Sequence, residues 1–213
     1  QYLYRSNFLN VVAGGGYFDI DAKDEIRVEI DDEIIIPLPP PLDPIIIPIN
    51  IVDEQAFDRD VQHTNVYLYS NIHLPYDVTL TIGASGDFYD SDASDNPDED
   101  QFNPKFGLIW KPLPGTTFRA AVFRTLKRTL ITDQTLEPTQ VAGFNQFYDD
   151  ANATDTWHYG AAIDQRLSEN LYAGVEYSQR DLDVPYNPAP GELRYADWDD
   201  DVFRAYLYYT PHE

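Results

Sequence analysis

The sequence has no cysteine and no methionine, and it carries few positive charges. Without cysteine, the chain can form no disulfide framework, thiol nucleophile or cysteine-ligated metal site. It has 14 lysines and arginines against 37 acidic residues, which gives a formal net charge of −23. Because nucleic-acid binding needs clustered Lys and Arg over a broad face, we do not expect a nucleic-acid partner.

Long apolar runs are also missing from the sequence. No stretch of about 18 consecutive apolar residues is present, so the sequence predicts no transmembrane helix. A membrane barrel is not excluded, because its strands cross the bilayer as short alternating segments. From the absence of any methionine we expect a mature form or a piece excised from a larger chain.

The dominant pattern in the sequence is a period-two alternation of apolar and polar residues. In the stretch at 78–85, Val78, Leu80 and Ile82 alternate with threonines and a glycine. Such alternation is typical of strands with one apolar and one polar face. The predicted strands are residues 3–18, 62–74, 78–88, 104–112, 116–127, 155–167, 171–180 and 202–210.

The predicted connections alternate between short and long. The short ones are residues 74–77, 112–116 and 167–170, and the long ones are residues 89–102, 128–153 and 181–197. We expect residues 20–60 to form the longest loop, rich in proline and holding a short extra strand.

Short turns at one rim and long loops at the other are typical of an outer-membrane barrel. We therefore predict an all-β fold in which residues 1–213 form a single domain. It would be an antiparallel, up-and-down transmembrane β-barrel, or part of one, with about eight long strands. A soluble antiparallel sandwich or barrel shows the same alternation and is the other fold that the pattern allows.

The acidic stretch at 87–101 raises the question of a calcium site. Its oxygen-bearing side chains partly match the spacing of an EF-hand loop, but Asp95 and Gln101 replace the glycine and glutamate which that loop requires. A looser cage for a divalent cation such as calcium and a solvated acidic loop are the two interpretations. The candidate ligands are Asp90, Asp92, Ser94 and Asp98.

Four cations concentrate on and just after one predicted strand: Arg119, Arg124, Lys127 and Arg128. If Phe118 and its neighbours on the same face meet lipid, Arg119 points to the opposite, polar side. One interpretation is that these cations pair with carboxylates of neighbouring strands, such as Asp164 and Glu176. The other is that they bind an anionic ligand or a lipopolysaccharide phosphate near the rim.

Three motifs follow each other closely along the chain. They are Pro104-Lys105-Phe106-Gly107-Leu108 with Trp110 and Pro112, then Phe118-Arg119-Ala120, then Leu136-Glu137-Pro138. Together they resemble the barrel of TonB-dependent outer-membrane receptors. The chain is also similar to bacterial proteins that carry this barrel behind an N-terminal tetratricopeptide-repeat region.

The resemblance implies a location in the outer membrane of Gram-negative bacteria, a transport or receptor role for a solute, and no enzymatic activity. It implies contact with outer-membrane lipid or lipopolysaccharide, and a partner in an upstream plug or tetratricopeptide-repeat region. Neither region is seen in this chain, so we expect a fragment of a larger barrel. A secreted acidic β-sheet domain that binds a protein or glycan through its long loops is the alternative function.

Overall fold

A computed structural model describes residues 1–36, 45–91, 99–127, 135, 137–146, 150–189 and 192–211. Within these residues, no helix has the length and apolarity needed to cross a membrane. The strands are β1 (Tyr2–Arg5), β2 (Leu9–Ile36), β3 (Ile45–Leu74), β4 (Val78–Ser91), β5 (Glu99–Leu113), β6 (Thr116–Leu126), β7 (Gln140–Val141), β8 (Phe144–Asn145), β9 (Asp155–Arg166), β10 (Leu171–Ala189) and β11 (Glu192–Tyr209).

Nine of these strands form one sheet in the order β1-β2-β3-β4-β5-β6-β9-β10-β11, and β7 and β8 form a separate hairpin. The described pairings are antiparallel, and consecutive strands of the sheet are neighbours. Apart from the four-residue β1, the sheet holds eight long strands. The predicted all-β, up-and-down fold is therefore confirmed, as an open sheet that makes part of a barrel.

The predicted short turns lie where the alternation stops. β3 and β4 are joined by residues 75–77, in which Tyr76 and Asp77 both adopt positive φ. β5 and β6 are joined by Pro114 and Gly115, and the φ of +85° at Gly115 is one that glycine adopts without steric cost. β9 and β10 are joined by residues 167–170. All three turns lie at one end of the sheet.

In the described parts of residues 20–60, β2 and β3 take the place of the predicted loop. Residues 37–44, which hold most of the prolines of that prediction, lie outside the described residues. The period-two alternation in fact persists from Ile20 to Ile36, with isoleucine, alanine and valine at most even positions. Pro48 lies within β3, and the described pairing of β3 with β4 reaches only to Val61. Proline is tolerated in a strand where its missing N–H is not needed by a neighbour.

Two other boundaries differ from the prediction. The first predicted strand is divided in two, because β1 turns at Ser6 and pairs back onto β2. The predicted loop at 181–197 is mostly strand, since β10 and β11 stay in register from Leu171 and Tyr209 to Tyr186 and Arg194. The aspartates of this segment look like loop residues by composition, but the backbone ladder continues through them.

The contacts divide the chain into two compact units. One unit holds Gln1–Asp19 and Val61–Glu213, and it contains all the predicted site residues that the structure describes. The other unit is Ile20–Asp60, which holds the remaining residues of β2 and β3.

In the larger unit, the two faces of the sheet have opposite character. Its apolar face is exposed, as at Ile82, Phe106 and Val175. Its polar face is covered, and residues as hydrophilic as Asp87 and Lys105 are buried there. A soluble domain buries apolar side chains and exposes charged ones, so this sheet has its faces reversed.

Candidate functional site

The polar face of the sheet is covered in part by the segment 137–146, which includes the β7–β8 hairpin. Val141, Ala142 and Phe144 of this segment form one buried cluster with Phe123 and other residues of the sheet. The hairpin turns at Ala142 and Gly143, both with positive φ, as the type I′ hairpin turn requires. We call this segment the inward segment.

Two glycines of the sheet allow the inward segment to approach closely. A Cβ placed on Gly160 would lie 2.5 Å from the ring of Phe144. A Cβ placed on Gly107 would lie 2.8 Å from the Cβ of Ala142. These distances are too short for real contacts, so the strands β5 and β9 need glycine where the inward segment rests.

A buried polar network fixes the inward segment to the sheet. The ammonium of Lys105 lies 3.4 Å from Oε1 of Glu137 and donates hydrogen bonds to Oε1 of Gln146 and to the carbonyl oxygen of Arg124. The hydroxyl of Tyr69 donates to Glu137 and accepts from Nε2 of Gln146. The partners thus come from β3, β5, β6 and the inward segment, and the buried ammonium and carboxylate compensate each other.

The sequence did not single out Lys105 or Glu137 as a site, although both lie in the motifs that carried the family resemblance. Lys105 shares a face with Asn103 on β5, opposite to Phe106, so the alternation places it on the polar side. Its partner, Glu137, lies 32 positions further along the chain, in a segment whose sequence does not alternate between apolar and polar residues. The pairing therefore could not be predicted from local pattern.

Arg119 lies on the polar face, as predicted. Its Nε donates to Oδ2 of Asp164 at 2.7 Å, and its Nη2 donates to Oε2 of Glu176 at 3.2 Å. Nη1 also donates to the carbonyl oxygen of Gly143 in the inward segment. The hydroxyl of Tyr206 donates a hydrogen bond to Asp164. The structure thus contains the pairing with carboxylates that one interpretation predicted.

Arg124 and Lys127, two of the other three predicted cations, do not join Arg119. Arg124 is an odd number of residues away along β6, so the two side chains leave the strand on opposite faces. Arg124 Nε donates to Asp155 at 2.8 Å, and Lys127 Nζ donates to Asn152 at 3.2 Å. Arg128 lies outside the described residues. Binding of an anionic ligand by these cations stays a prediction.

The predicted cation site falls mainly outside the part of the chain that the structure describes. Asp90 lies near the end of β4, opposite Gln62 of β3. Asp92, Ser94 and Asp98 lie outside the described residues. Among the residues that are described, no group of three or more His, Asp or Glu side chains is placed to hold a metal ion.

Sequence reasoning also missed a second buried network, centred on Asp87. Its Oδ1 lies 3.0 Å from Nε2 of His63 and accepts a hydrogen bond from Asn65 at 2.8 Å, while Oδ2 accepts from Asn103 at 2.8 Å. Gln101 donates to Asn103 and continues the network to Asp155. The alternation of the sequence indicates which face of its strand each of these residues lies on, but not that they contact one another.

Among the residues that the structure describes, β6 and β9 stop short of their neighbours at one end of the sheet. β6 ends at Leu126 and β9 begins at Asp155, whereas β5 and β10 extend further on either side. A cavity of about 320 Å³ lies beside these strand ends. Its lining residues are Glu99, Gln101, Arg124, Ala153, Asp155, Asp183 and Tyr195.

The comparison with family models agrees with this architecture. Residues 5–184 match the model described as TonB dependent receptor-like, beta-barrel. No curated protein matches the sequence.

Proposed function

The chain belongs to the TonB-dependent receptor-like β-barrel family, and on this premise we propose that it serves at the bacterial outer membrane in the transport or reception of a solute. The apolar face of the sheet would meet lipid or lipopolysaccharide. The polar face would line the path of the solute. The family is of an outer-membrane type, which supports this location.

The observation that carries the proposal is the contrast between adjacent residues of β5. Lys105 is 1% exposed and Phe106 is 49% exposed. Lys105 is buried with its polar partners in either environment, whereas a large exposed ring is unfavourable in water. Against a bilayer, lipid covers the phenylalanine, and its exposure becomes favourable.

The height of the exposed apolar band supports a bilayer as its environment. On β5 the band runs from Phe102 through Phe106 to Trp110, and this interval matches the roughly 9–11 residues that a tilted strand needs to cross the hydrocarbon core. Near the short turns, the ring of Trp110 stacks on Phe118 at 5.7 Å. Aromatic rings at this level are typical of the girdles of membrane barrels.

Charged residues begin where the apolar band ends. On β10, the face that carries Val175 and Tyr177 continues with Asp181 and Asp183. On β5, Asp100 follows the band beyond Phe102. Carboxylates are costly in hydrocarbon and favourable in water, so these positions are consistent with an aqueous level beyond the bilayer.

The polar face supports a role in handling a polar solute. Its charges are arranged in pairs such as Arg119 with Asp164 and Lys105 with Glu137. The inward segment fills part of the space on the polar side of the sheet. A wall of paired charges and amides can exchange hydrogen bonds with a passing solute, and the wall's composition then sets which solutes pass.

Membrane fractionation and folding assays test the proposal together. The full chain should be recovered with outer-membrane fractions, and it should fold only when detergent or lipid is supplied, as judged by resistance of the folded form to mild denaturing electrophoresis. A protein that folds as a monomer in buffer without detergent would contradict the proposal. That result would favour a secreted β-sheet domain.

A further inference from the structure

A cavity of about 560 Å³ lies at the short-turn end of the sheet. It is formed by the end of β5, the turn between β5 and β6, and the adjoining ends of β9 and β10, all in the larger of the two compact units. Its volume falls within the roughly 300–1,000 Å³ that is usual for small-molecule sites. We call it the rim cavity.

A β-bulge places Lys111 at the edge of the rim cavity. The register of β5 against β6 shifts after Trp110, so that two residues of β5, Lys111 and Pro112, lie opposite the single residue Thr117 of β6. Bulges at the rims of barrels redirect the side chains beside them. Lys111 and Thr117 both line the rim cavity.

Arg166 lines the rim cavity from β9. It follows Asp164 by two positions, so its side chain leaves the strand on the same, polar face. The guanidinium lies over the ring of Tyr172, 5.8 Å from the centroid, and its Nε donates to the carbonyl oxygen of Ser168 at 3.2 Å. The backbone N–H of Arg166 donates to the carbonyl oxygen of Gly115 at 2.7 Å. The arginine is thus held in place by contacts that do not neutralise its charge.

The charges that line the rim cavity are only partly compensated. Asp164 is engaged by Arg119. Among the described residues, Lys111 and Arg166 have no carboxylate partner, and the other carboxylate of the lining belongs to Asp77. Two cations therefore face one uncommitted carboxylate, in a chain that has 37 acidic residues and only 14 basic ones. This imbalance favours the binding of one anionic group.

The remaining lining offers contacts for the carbon skeleton of a ligand. Pro112, Leu113 and Pro114 border the cavity beside Lys111, and the ring of Tyr172 borders it beneath the guanidinium of Arg166. Leu113 is 65% exposed, so the apolar part of a ligand would cover surface that now meets water. Apolar surface with a few charged groups is typical of sites for small molecules.

We propose that the rim cavity binds small organic anions, with a carboxylate or phosphate group between Lys111 and Arg166 and the carbon skeleton against Tyr172 and Pro112. The hydroxyl of Thr117, on the strand between the two cations, offers a further hydrogen-bond donor. A solute that moves along the polar face would pass this cavity at the short turns. Only that link to transport rests on the proposed function, since the binding itself depends on the cavity alone.

Calorimetric titration of the full chain, folded in a non-ionic detergent, tests the site. Phenyl phosphate and benzoate are the probes, benzyl alcohol is their uncharged counterpart, and empty micelles supply the blank. We expect saturable binding of both anions. Benzyl alcohol should bind at least about tenfold more weakly, because the loss of a hydrogen bond between charged groups lowers affinity by about this factor or more.

Three substitutions examine the charges that line the cavity. Lys111→Met and Arg166→Met should each weaken the binding of both anions by about tenfold or more. Both side chains are exposed, so neither replacement disturbs the buried networks. Asp77→Asn removes the opposing charge and should strengthen the binding by about threefold.

Arg5→Met is the matched control. Arg5 is an exposed cation on β1, beside the turn at Ser6, and it does not line the rim cavity. Its replacement removes the same charge as Arg166→Met and should leave the affinity for both anions unchanged.

The proposal is overturned if the folded protein binds neither anion, or if it binds benzyl alcohol as tightly as the anions. It is equally overturned if Arg5→Met weakens binding as much as Arg166→Met, because the anions would then respond to overall charge and not to the cavity. A protein that binds the anions with the expected response to substitution but is absent from outer-membrane fractions would contradict the proposed function and support this site.

Discussion

The ammonium of Lys105 lies 3.4 Å from Oε1 of Glu137, and both side chains are almost completely buried between the sheet and the inward segment. A buried ion pair is strongly destabilised when one partner is removed, because the other charge is left without compensation. The pair therefore couples the position of the inward segment to the wall. It connects two of the motifs by which the sequence resembles its family.

Removal of the Glu137 carboxylate should destabilise the barrel markedly. We expect Glu137→Ala to lower the free energy of unfolding by about 3–5 kcal/mol, because Lys105 loses its counter-charge in a buried place. The double variant Lys105→Met/Glu137→Leu should recover part of this loss. Urea unfolding in detergent micelles measures the difference.

The exposed pair Arg194–Glu192 supplies the control for that measurement. Both side chains are more than half exposed, at a separation of 3.2 Å. Arg194→Met should change the free energy of unfolding by no more than about 1 kcal/mol. A similarly small loss in Glu137→Ala would show that the buried pair does not fix the inward segment.

Arg119 should be hard to replace even by lysine. Its guanidinium contacts Asp164, Glu176 and the carbonyl oxygen of Gly143 at once, and a lysine ammonium cannot span these positions. We expect Arg119→Lys to cost about 1–3 kcal/mol of unfolding free energy, measured by the same urea unfolding. Arg204→Lys, at an exposed position that contacts Glu176, should be close to neutral.

Gly160 should tolerate no side chain. A Cβ at this position would overlap the ring of Phe144, so Gly160→Ala should displace the inward segment and cost about 1–3 kcal/mol. Gly86→Ala is the matched control, because its Cβ would lie 3.5 Å from Val66 in ordinary contact. Limited proteolysis of the segment at 137–146 should be faster in Gly160→Ala only. Equal proteolysis in both variants would contradict the close approach.

Strands and faces could be predicted from the sequence because alternation is a local signal. It placed Arg119 and Phe118 on opposite faces, and it located the short turns. In the described parts of residues 20–60, the prolines predict a loop, but the alternation that continues to Ile36 corresponds to a strand. Near Asp183, the row of aspartates favours a loop by composition, although the strand pairing continues through it.

The candidate site was less accessible to sequence reasoning. The polar networks join residues far apart in the chain, such as Tyr69 with Glu137 and Arg119 with Glu176. Which strands are neighbours decides these pairings, and this follows from topology and register rather than from composition. The inward segment has no strand period of its own, so nothing local indicated that it packs against Phe123 and Gly160.

The measurement that tests the account most directly compares Phe106→Arg with Phe102→Arg. The two residues lie on the same strand and the same face, and both are exposed, Phe106 to 49% and Phe102 to 66%. Phe106 lies midway along the apolar band and Phe102 at its edge. If the band meets lipid, arginine should cost about 2–4 kcal/mol at Phe106 and about 0–1 kcal/mol at Phe102, measured by folding into bilayers. Two equally small changes, as expected for a face in water, would contradict the membrane-spanning barrel.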